Sequence, residues 1–299
     1  MTLEIKEKIE ILPVSLLDQN RRLVMDLNQL ARRLSLELGW HYLLDLTWII
    51  SQLGDLKGKY IMDAGAGTGI LQWYLAKNGV EVLSVDRANR ADLPIRFRWG
   101  YQVKGLRSVD LLPVKARSSS IGSDVDHKNK GYRRLGRLVS DLVKIGLPHQ
   151  FTGRVVLYNH DLKEMTEIPS DSLDAVVAVS SLEHNPPYEL SHVVDELLRV
   201  LKPGGLLLAT LGAAREQDWF HQPSKGWNYS ADTLRNAFGL SNDVTYNYDQ
   251  YDRLFTALVD CVELRHNLAS FYSRSGENGM PWGKWDPRYQ PVGVRKIKI

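Results

Sequence analysis

The first 58 residues carry apolar positions at helical spacing. Residues 23–34 place leucines three or four positions apart, with arginines on the other faces, which predicts an amphipathic helix. The leucines at this spacing are Leu23, Leu27, Leu30 and Leu34. A second helical stretch spans residues 39–53, and Gly54 is placed to end it. The pattern therefore predicts a helical segment over residues 1–58.

From residue 59 onward, short apolar strands alternate with helices. Predicted strands cover residues 60–63, 80–86, 154–161, 173–180 and 206–210, and predicted helices cover residues 70–77 and 189–201. This alternation favours an α/β fold in which a mostly parallel sheet carries flanking helices on both faces. The last residues, 291–299, are typical of an edge strand that lysines protect from further pairing.

One connection in this pattern is too long for a single crossover. Residues 87–153 separate the second predicted strand from the third, whereas a crossover with its helix needs about 10–12 residues at minimum. We predict an insertion over residues 95–150, between strands 2 and 3. The chain then consists of an N-terminal helical segment, 1–58, and one larger domain, 59–299, that contains the insertion.

Composition places the chain among globular proteins. Of 299 residues, 43% are hydrophobic and 24% are charged, which excludes wholesale disorder. The single cysteine, Cys261, excludes an intramolecular disulfide and a cysteine-based zinc site, and we predict no bound metal. The first eight residues mix glutamate with lysine, unlike a signal peptide, and no apolar stretch approaches the roughly 20 residues of a membrane span. We therefore expect a cytoplasmic protein.

Charge is distributed unevenly along the chain. The formal net charge is +3, but residues 95–154 hold 13 lysines or arginines against 4 acids, so the rest of the chain is acidic. Within this stretch, residues 133–145 form a predicted basic amphipathic helix. Such a surface suits a phosphate-bearing acceptor, a membrane surface or RNA. A solvated charged face explains the same pattern equally well.

The strongest chemical signal lies between the first predicted strand of the sheet and the helix that follows it. The run Asp63-Ala-Gly65-Ala-Gly67-Thr-Gly69 is a glycine-rich turn with an acid at its start. Glycines let the backbone turn sharply and let a ligand lie against it. Position 70 is Ile70, so the G-x-G-x-x-G fingerprint of dinucleotide-binding proteins is absent, and so is the Gly-Lys-Ser/Thr ending of a P-loop.

This run resembles motif I of class I S-adenosylmethionine-dependent methyltransferases. The resemblance continues in register: Asp86 ends the second strand, Asp161-Leu162 follows the third, and Ser180-Ser-Leu-Glu-His184 follows the fourth. The run Arg199-Val-Leu-Lys-Pro-Gly-Gly205 then leads into the fifth strand. The resemblance covers residues 58–211 without the insertion. It implies a Rossmann-like sheet with an N-terminal helical lid over the cofactor.

The resemblance also implies S-adenosylmethionine as the cofactor and assigns residues to it. The glycine run would pass beneath its methionine and ribose portions, Asp63 would place the amino-acid end, and Asp86 would bind the ribose hydroxyls. Asp161 would accept a hydrogen bond from the adenine amino group, and Leu162 would pack on the ring. The implied cofactor-binding residues are Asp63, Gly65, Ala66, Gly67, Gly69, Asp86, Asp161, Leu162 and Ser180. Loop turns and helix caps are alternative roles for the three acids.

Two histidines are candidate general bases for a hydroxyl acceptor. His184 follows the fourth strand, where the acceptor approaches in the enzymes that this chain resembles, and His221 lies in an aromatic loop at residues 218–229. The ordinary pKa of histidine, about 6.5, suits proton removal near neutral pH. The alternative for His184 is a helix cap or a cofactor contact without proton transfer.

Aromatic residues mark a candidate acceptor wall. Trp219, Trp227 and Tyr229 belong to the loop at residues 218–229, and aromatic faces pack on sugar rings as well as on planar rings. In the N-terminal segment, Trp40 and Tyr42 are candidates to line the site as part of the lid. The alternatives are a small separate core for the loop and helix-to-sheet packing for the N-terminal residues.

The run Asn185-Pro-Pro-Tyr188 spells a motif of methyltransferases that act on the amino nitrogen of adenine or glutamine. In those enzymes the asparagine stands directly at the end of the fourth strand. Here it comes 11 residues after Asp174, and Ser180 and Ser181 hold its place. We therefore interpret the two prolines as the entry to the next helix, where proline is tolerated.

Taken with the resemblance, these features predict O-methylation of a sugar or another small polar acceptor. A nucleic-acid methyltransferase that uses the basic insertion is the first alternative, and a non-catalytic cofactor-binding regulatory protein is the second. The expected partner is a small molecule or glycan, and an anionic, phosphate-bearing acceptor stays open, as does peripheral membrane contact. Too few aromatic residues accompany the basic ones to favour nucleic acid.

Overall fold

The computed structural model describes residues 6–113, 153–266 and 285–299, and the chain begins there with one strand and three helices. These are β1 (Lys8–Ile11), α1 (Ser15–Gln19), α2 (Arg21–Leu34) and α3 (Tyr42–Leu53). The helices predicted at residues 23–34 and 39–53 are confirmed, and Gly54 ends α3. The helical prediction for residues 1–58 is wrong at β1. There, Ile9 and Ile11 alternate with charged residues, and this period of two buries one face of a strand.

The middle of the chain alternates strands and helices, as the sequence predicts. The strands are β2 (Tyr60–Ala64), β3 (Glu81–Val85), β4 (Lys104–Gly105), β5 (Arg154–Tyr158), β6 (Leu173–Val179) and β7 (Leu201–Ala213). The helices are α4 (Leu71–Lys77), α5 (Ile95–Gly100), a short 3-10 helix (Leu182–His184) and α6 (Pro187–Val200). Pro187 lies in the first turn of α6, where its missing N–H removes no helical hydrogen bond, so the two prolines are a helix entry.

The C-terminal part forms a hairpin, short helices and a last strand. These elements are β8 (Trp219–His221), β9 (Gly226–Tyr229), α7 (Ala231–Ala237), a 3-10 helix (Tyr248–Gln250), α8 (Tyr251–Val259), α9 (Val262–His266) and β10 (Gln290–Ile297). The prediction of an irregular loop at residues 218–229 is wrong, because β8 and β9 pair as an antiparallel hairpin. Aromatic residues favour such pleated, half-buried positions.

Within the described residues, ten strands form one mostly parallel sheet, which confirms the predicted fold class. The strand order is β1-β10-β7-β6-β2-β3-β5-β4, and the hairpin joins at β7 through β9. The order proceeds from β2 through β3 to β5 in one direction and from β2 through β6 to β7 in the other. In parallel sheets, ligands bind beyond the carboxyl ends of the strands at such a reversal.

β10 lies inside the sheet, so the prediction of an edge strand is wrong. It pairs antiparallel with β7 on one side and with β1 on the other. The distant β1 covers the edge that the sequence leaves open. The Asn247 side chain forms hydrogen bonds with the backbone of Ile11 in β1. Its Oδ1 accepts from the Ile11 amide at 2.8 Å, and its Nδ2 donates to the Ile11 carbonyl at 3.1 Å. Lys296 of β10 forms an ion pair with Glu7 at 2.9 Å.

Two apolar cores lie on the two faces of the sheet, because neighbouring strand residues point to opposite faces. In β3, Val82 joins the core that includes α2, α3 and α4, whereas Leu83 joins the core that includes α6 and α7. The Trp48 ring of α3 lies against Gly293 of β10, where a Cβ atom would come within 2.5 Å of the ring. Burial of a large apolar side chain contributes about 1.5–3 kcal/mol to the free energy of folding, so the buried side chains of α3 attach it firmly to the sheet.

The start of the insertion extends the sheet. β4 pairs parallel with β5, and the fully buried Asp110 accepts hydrogen bonds from Arg107 and from the Asn159 amide, at 2.9 and 3.0 Å. These contacts tie residues 95–113 to the end of β5. The predicted basic helix at residues 133–145 lies outside the described residues. Across the described ranges, no helix has both the length and the apolar character of a membrane span.

Candidate active site

A cavity of about 820 Å³ opens at the carboxyl ends of β2, β3, β5 and β6, and most of its lining falls into two sets. The glycine-loop set comprises residues 63, 65–71, 86–88 and 161–163, which follow β2, β3 and β5. The α3 set comprises residues 35–38, 42 and 46 together with residues 179–181, 184 and 185 after β6. Ligand pockets in proteins typically measure about 300–1,000 Å³, so this cavity lies within the range of small-molecule sites.

The backbone conformation of the glycine loop requires glycine. Gly65 has φ +75°, and a Cβ atom there would lie 2.3 Å from the Cβ atom of Ser181. Gly67 has φ +48°. The amides of Gly65 and Ala66 both donate to the Val85 carbonyl, at 2.9 and 3.0 Å, which fixes the loop over the end of β3. The loop therefore presents mainly backbone to the cavity.

Two backbone amides hold the Asp86 carboxylate at the cavity wall. Its Oδ2 accepts from the Gly67 amide and its Oδ1 from the Ala88 amide, both at 2.6 Å. A carboxylate oxygen has two lone pairs, so each oxygen can still accept a hydrogen bond from a ligand. The structure thus places Asp86 and Gly67 side by side, as the resemblance implies.

Asp63 lies near the end of β2 and lines the cavity with 2% of its surface exposed. Burial raises the pKa of Asp63 to about 7, against the opposing effect of Arg90, and the charge of Asp86 adds to the rise. This carboxyl therefore changes its charge near neutral pH.

Arg90 lies beneath the glycine loop, although the sequence does not single it out. Its guanidinium donates to the carbonyls of Gly67 and Ser84, at 3.2 and 2.8 Å, and only 5% of the residue is exposed. Residues 87–98 contain several arginines, and the local pattern does not distinguish the buried one. Its burial depends on β3 lying next to β5.

Asp161 and Leu162 line the cavity after β5, as predicted. The Oδ1 atom of Asp161 accepts from the Lys163 amide at 3.0 Å, which is a local turn contact. The Lys163 side chain in turn forms an ion pair with Glu189 of α6. The turn role and a ligand role for Asp161 are thus compatible.

Ser180 joins the α3 set to a buried polar cluster. It follows β6 with φ +44°, which is uncommon for a residue other than glycine. Its Oγ donates to Oδ2 of Asp45 at 3.0 Å, and the same carboxylate oxygen lies 2.6 Å from Nδ1 of His41. His41 and Asp45 are 3% and 0% exposed. The sequence gives no indication of Asp45, because only the packing of α3 on the sheet brings it to Ser180.

Glu183 lies behind the cavity lining with an unsatisfied oxygen. Among the described residues, nothing donates a hydrogen bond to its buried Oε2 atom. Burial, and then the charge of Asp45, hold the pKa of Glu183 well above its usual range. Tyr42, which lines the cavity as predicted, has its pKa raised by burial and by these two acids. This part of the site therefore disfavours additional negative charge.

The two candidate bases occupy different environments. His184 lines the cavity, is exposed, and has Nδ1 at 3.0 Å from the Lys225 carbonyl. His221 is 8% exposed, is absent from the described cavity lining, and has Nδ1 at 2.8 Å from the Ser224 hydroxyl. Burial, and then Arg288, lower the pKa of His221. Only His184 is therefore placed at the cavity.

The hairpin aromatic residues predicted as an acceptor wall lie outside the described cavity lining. The Trp219 ring meets His221 edge-on, with centroids 5.5 Å apart, and the Trp227 ring lies 5.4 Å from Phe220. Tyr229 is fully buried, and its hydroxyl donates to the Asn185 carbonyl at 2.6 Å. Tyr229 belongs to the core that includes α6 and α7, Trp227 packs against that core, and Trp219 packs against the core on the other face of the sheet. The hairpin therefore joins the two main cores rather than forming a separate one.

Trp40 is also absent from the described cavity lining. It is fully buried, with its ring 5.8 Å from Trp285 and 5.4 Å from Tyr289. The N-terminal segment nevertheless reaches the cavity, through Tyr42 and through residues 35–38. Of the two N-terminal candidates, the structure brings Tyr42 to the cavity and buries Trp40 in the core.

Acidic side chains outnumber basic ones in the described cavity lining. The acids are Glu37, Asp63, Asp86, Asp161 and Glu189, and the cationic side chains are Arg87 and Lys163. Walls of one sign concentrate ligands of the other sign. The described lining therefore favours a cationic or neutral ligand over an anionic one.

Several solved structures are similar to this chain at low identity. One is the 4+2 cyclase SpnF, with 17% identity, coverage of 98% of this chain and 99% of that one, and a TM-score of 0.47. Another is a 1,6-didemethyltoxoflavin-N1-methyltransferase from Burkholderia thailandensis, with 11% identity, coverage of 85% of this chain and 76% of that one, and a TM-score of 0.41. A third is a geranyl diphosphate C-methyltransferase from Streptomyces coelicolor A3(2), with 15% identity, coverage of 85% of this chain and 75% of that one, and a TM-score of 0.41.

No curated protein matches the chain significantly. A sequence model of the methyltransferase domain family, however, matches residues 40–242, which is more than half of the chain. The match begins just before α3 and contains the glycine loop, Asp86, Asp161 and His184. The chain therefore belongs to the methyltransferase domain family and is a class I S-adenosylmethionine-dependent methyltransferase.

Proposed function

We propose that the protein transfers a methyl group to a hydroxyl oxygen of a neutral, small polar acceptor, such as a sugar. The observation that carries the proposal is the placement of His184 at the cavity. Its Nδ1 faces a carbonyl oxygen, which can only accept a hydrogen bond. In the neutral imidazole, Nδ1 then carries the proton and Nε2 has the free lone pair that a general base needs.

The residues of the glycine-loop set fit S-adenosylmethionine. The loop presents backbone to the cavity, a Cβ atom at Gly65 would collide with Ser181 beside it, and the Asp86 carboxylate has acceptor capacity for ribose hydroxyls. We assign the amino-acid end to Asp63 and the adenine to Asp161 and Leu162. When bound, the cofactor supplies an electrophilic methyl carbon and leaves as a neutral thioether.

His184 would remove the hydroxyl proton as the acceptor oxygen takes the methyl group. A positioned base of this kind typically contributes about 10²–10⁴-fold in rate. His221 is the weaker candidate, because burial lowers its pKa and it is absent from the described cavity lining. We propose His184 as the catalytic base.

The charge of the lining supports a neutral acceptor. The described lining holds five acids against two cationic side chains, so it offers a phosphate no net positive charge. The basic stretch that suggested an anionic partner lies mostly outside the described residues. We therefore place a neutral sugar or alcohol ahead of nucleotide sugars and RNA.

The N-terminal segment would serve as the lid. Residues 35–38, between α2 and α3, line the cavity together with Tyr42 and Leu46. Because α3 is anchored to the sheet through Trp48, movement of the lid would be confined to residues before α3. The residues before α3, with residues 35–38 nearest the cavity, would thus close the site over both ligands.

An acceptor screen with labelled S-adenosylmethionine tests the proposed function. The panel contains neutral sugars, phenols, nucleotide sugars and RNA, and mass spectrometry locates the methyl group. We expect label on a hydroxyl of a neutral compound, as an alkali-stable ether. Transfer only to RNA, to a phosphate-bearing compound or to nitrogen would overturn the proposal.

Replacement of His184 tests its assignment as the catalytic base. We expect His184→Ala to lower kcat by at least about 100-fold with little change in cofactor affinity, and higher pH to restore part of the rate. The matched control is His192→Ala, an exposed histidine on α6 outside the described cavity lining, which should retain kcat. Full turnover by His184→Ala across the pH range would remove His184 from the mechanism.

A further inference from the structure

We propose that Arg90 is a positioning residue for the cofactor, whose buried guanidinium holds the glycine loop from below and supplies the positive charge that acts on Asp63. This inference rests on the proposed role of Asp63 at the amino-acid end of the cofactor. It assigns a task to a residue that touches neither substrate nor cofactor.

The guanidinium of Arg90 joins three parts of the chain. It donates to the Gly67 carbonyl in the glycine loop, to the Ser84 hydroxyl and carbonyl in β3, and to the Tyr158 carbonyl in β5. Its Nε also donates to Oδ1 of Asn159, at 3.3 Å. The planar guanidinium has five donors in a fixed arrangement, which lysine cannot reproduce.

A second layer extends this support along the loop. The Ser84 hydroxyl, which accepts from Arg90 at 2.5 Å, donates to Oε1 of Gln72 at 2.8 Å. The side-chain Nε2 of Gln72 lies 3.1 Å from the Gly69 carbonyl oxygen and 3.4 Å from the Gly67 carbonyl oxygen. Arg90, Ser84 and Gln72 therefore form a buried layer under the glycine run.

The charge of Arg90 remains available to act on the nearby acids. All of its hydrogen-bond partners in the described residues are neutral carbonyl, hydroxyl or amide oxygens, so none cancels the charge. Asp63, Asp86 and Asp110 are the acids that interact with it electrostatically. Since charges are weakly screened in a buried site, loss of this cation would strongly affect Asp63.

This arrangement predicts that cofactor affinity depends on pH near neutrality. The groups that act on Asp63 are Arg90, Asp86 and the backbone N–H of Gln72, and together with burial they set its pKa at about 7. An ionised Asp63 attracts the ammonium of the cofactor, and a protonated one does not. Affinity should therefore fall as the pH drops through this value. Without Arg90 the pKa of Asp63 rises, and the fall begins at a higher pH.

Calorimetry with S-adenosylhomocysteine tests the inference without any acceptor. Binding is measured from about pH 5.5 to about pH 8.5 for the wild type and for Arg90→Met, Arg90→Lys and Asp63→Asn. The pH at which affinity starts to fall is called the break. Below the break, wild-type affinity should fall by up to about tenfold per pH unit. Asp63→Asn should bind weakly at every pH. Arg253→Met, which removes one exposed arginine of α8 outside the described cavity lining, should follow the wild type.

Arg90→Met should lose at least about tenfold in affinity at pH 7.5 and shift the break upward. Arg90→Lys keeps the charge but loses the fixed donors, so it should bind more weakly than the wild type with the break near the wild-type position. If Arg90→Met does not fold, the lysine and asparagine variants decide. An unchanged break in Asp63→Asn, or wild-type affinity in Arg90→Lys and Arg90→Met, would overturn the inference. A wild type that fails to bind at all pH values would overturn the cofactor roles themselves.

Discussion

The glycine-loop set and the α3 set line the same cavity but are built differently. In the glycine-loop set, backbone amides carry the structure: Gly67 and Ala88 hold Asp86, and Val85 holds Gly65 and Ala66. In the α3 set, side chains from distant parts of the chain form the structure, as Ser180 meets Asp45 of α3. The first set suits a ligand shared by a whole family, because backbone geometry changes little with sequence. The second can change with single substitutions, which suits the recognition of a particular acceptor.

The largest expected effect comes from the point where the two sets touch, which is Gly65 against Ser181. Gly65→Ala combines a left-handed φ with a Cβ atom 2.3 Å from the Ser181 Cβ, so the loop must shift. We expect S-adenosylhomocysteine affinity to fall by about 100-fold, because the shifted loop loses its contacts with the ligand; such a fall corresponds to about 2.8 kcal/mol of binding free energy.

Gly58→Ala is the matched control for this substitution. Gly58 has φ +73°, close to that of Gly65, but a Cβ atom there meets nothing within 4 Å. We expect a stability loss of about 1 kcal/mol from the backbone strain and unchanged affinity. Equal loss of affinity in both variants would show that strain alone, rather than contact between the sets, determines binding.

A moderate effect is expected at Glu183, which lies behind the α3 set and tests the energetic cost of burying an acid there. Its pKa is raised in the folded state above the ordinary 4.5, so folding disfavours the ionised form. Below about pH 4 the carboxyl is protonated in both states and has no effect. As the pH rises from there towards the folded pKa, the native state loses stability. Glu183→Gln should therefore increase the free energy of unfolding by roughly 1–2 kcal/mol at pH 8, seen as a higher Tm, and change it little at pH 4.

Glu164→Gln supplies the control, because Glu164 is exposed on the segment between β5 and β6. It should leave the free energy of unfolding within about 0.5 kcal/mol of the wild type at both pH values. A Glu183→Gln variant that is less stable at pH 8 would mean that the carboxylate has a native partner. Glu183 would then resemble Asp86 of the glycine-loop set, whose carboxylate is held by two backbone amides.

The smallest expected effect concerns the hairpin behind the α3 set. Tyr229→Phe removes one hydroxyl that donates to the Asn185 carbonyl at 2.6 Å, and should reduce stability by about 1 kcal/mol without changing cofactor affinity. Tyr188→Phe, at an 80% exposed position, should leave stability unchanged. If Tyr229→Phe instead keeps its Tm and loses turnover on the acceptor, the hairpin is part of the acceptor wall after all.

The sequence predicts the glycine-loop set well because its parts are short and local. A strand, a glycine turn and an acid two residues before the first glycine are all read from one stretch of chain, and Asp86 follows at the end of the next strand. Their relative positions then follow from parallel strands whose carboxyl ends meet at one edge of the sheet. The same logic applies to Asp161 and His184, each of which follows its own strand.

The missed features all depend on long-range contacts. β1 pairs with β10 from the opposite end of the chain, which turns a predicted edge strand into an internal one. Asp45 and Arg90 look like ordinary surface charges in the sequence, because burial of a charged side chain cannot be inferred without its partners. The hairpin aromatic residues pack on protein and not on the cavity, a choice that composition leaves open.

The sequence by itself determined the strand and helix alternation, the glycine loop and the methyltransferase family, since these follow from local pattern and spacing. Tertiary structure decided which polar groups are buried together. It placed Arg90 under the loop, joined Asp45 to Ser180, and put His184 rather than His221 at the cavity. The physical reason is that hydrophobic packing fixes which distant segments meet, and the charge and hydrogen bonding of a buried side chain depend on the segments that surround it.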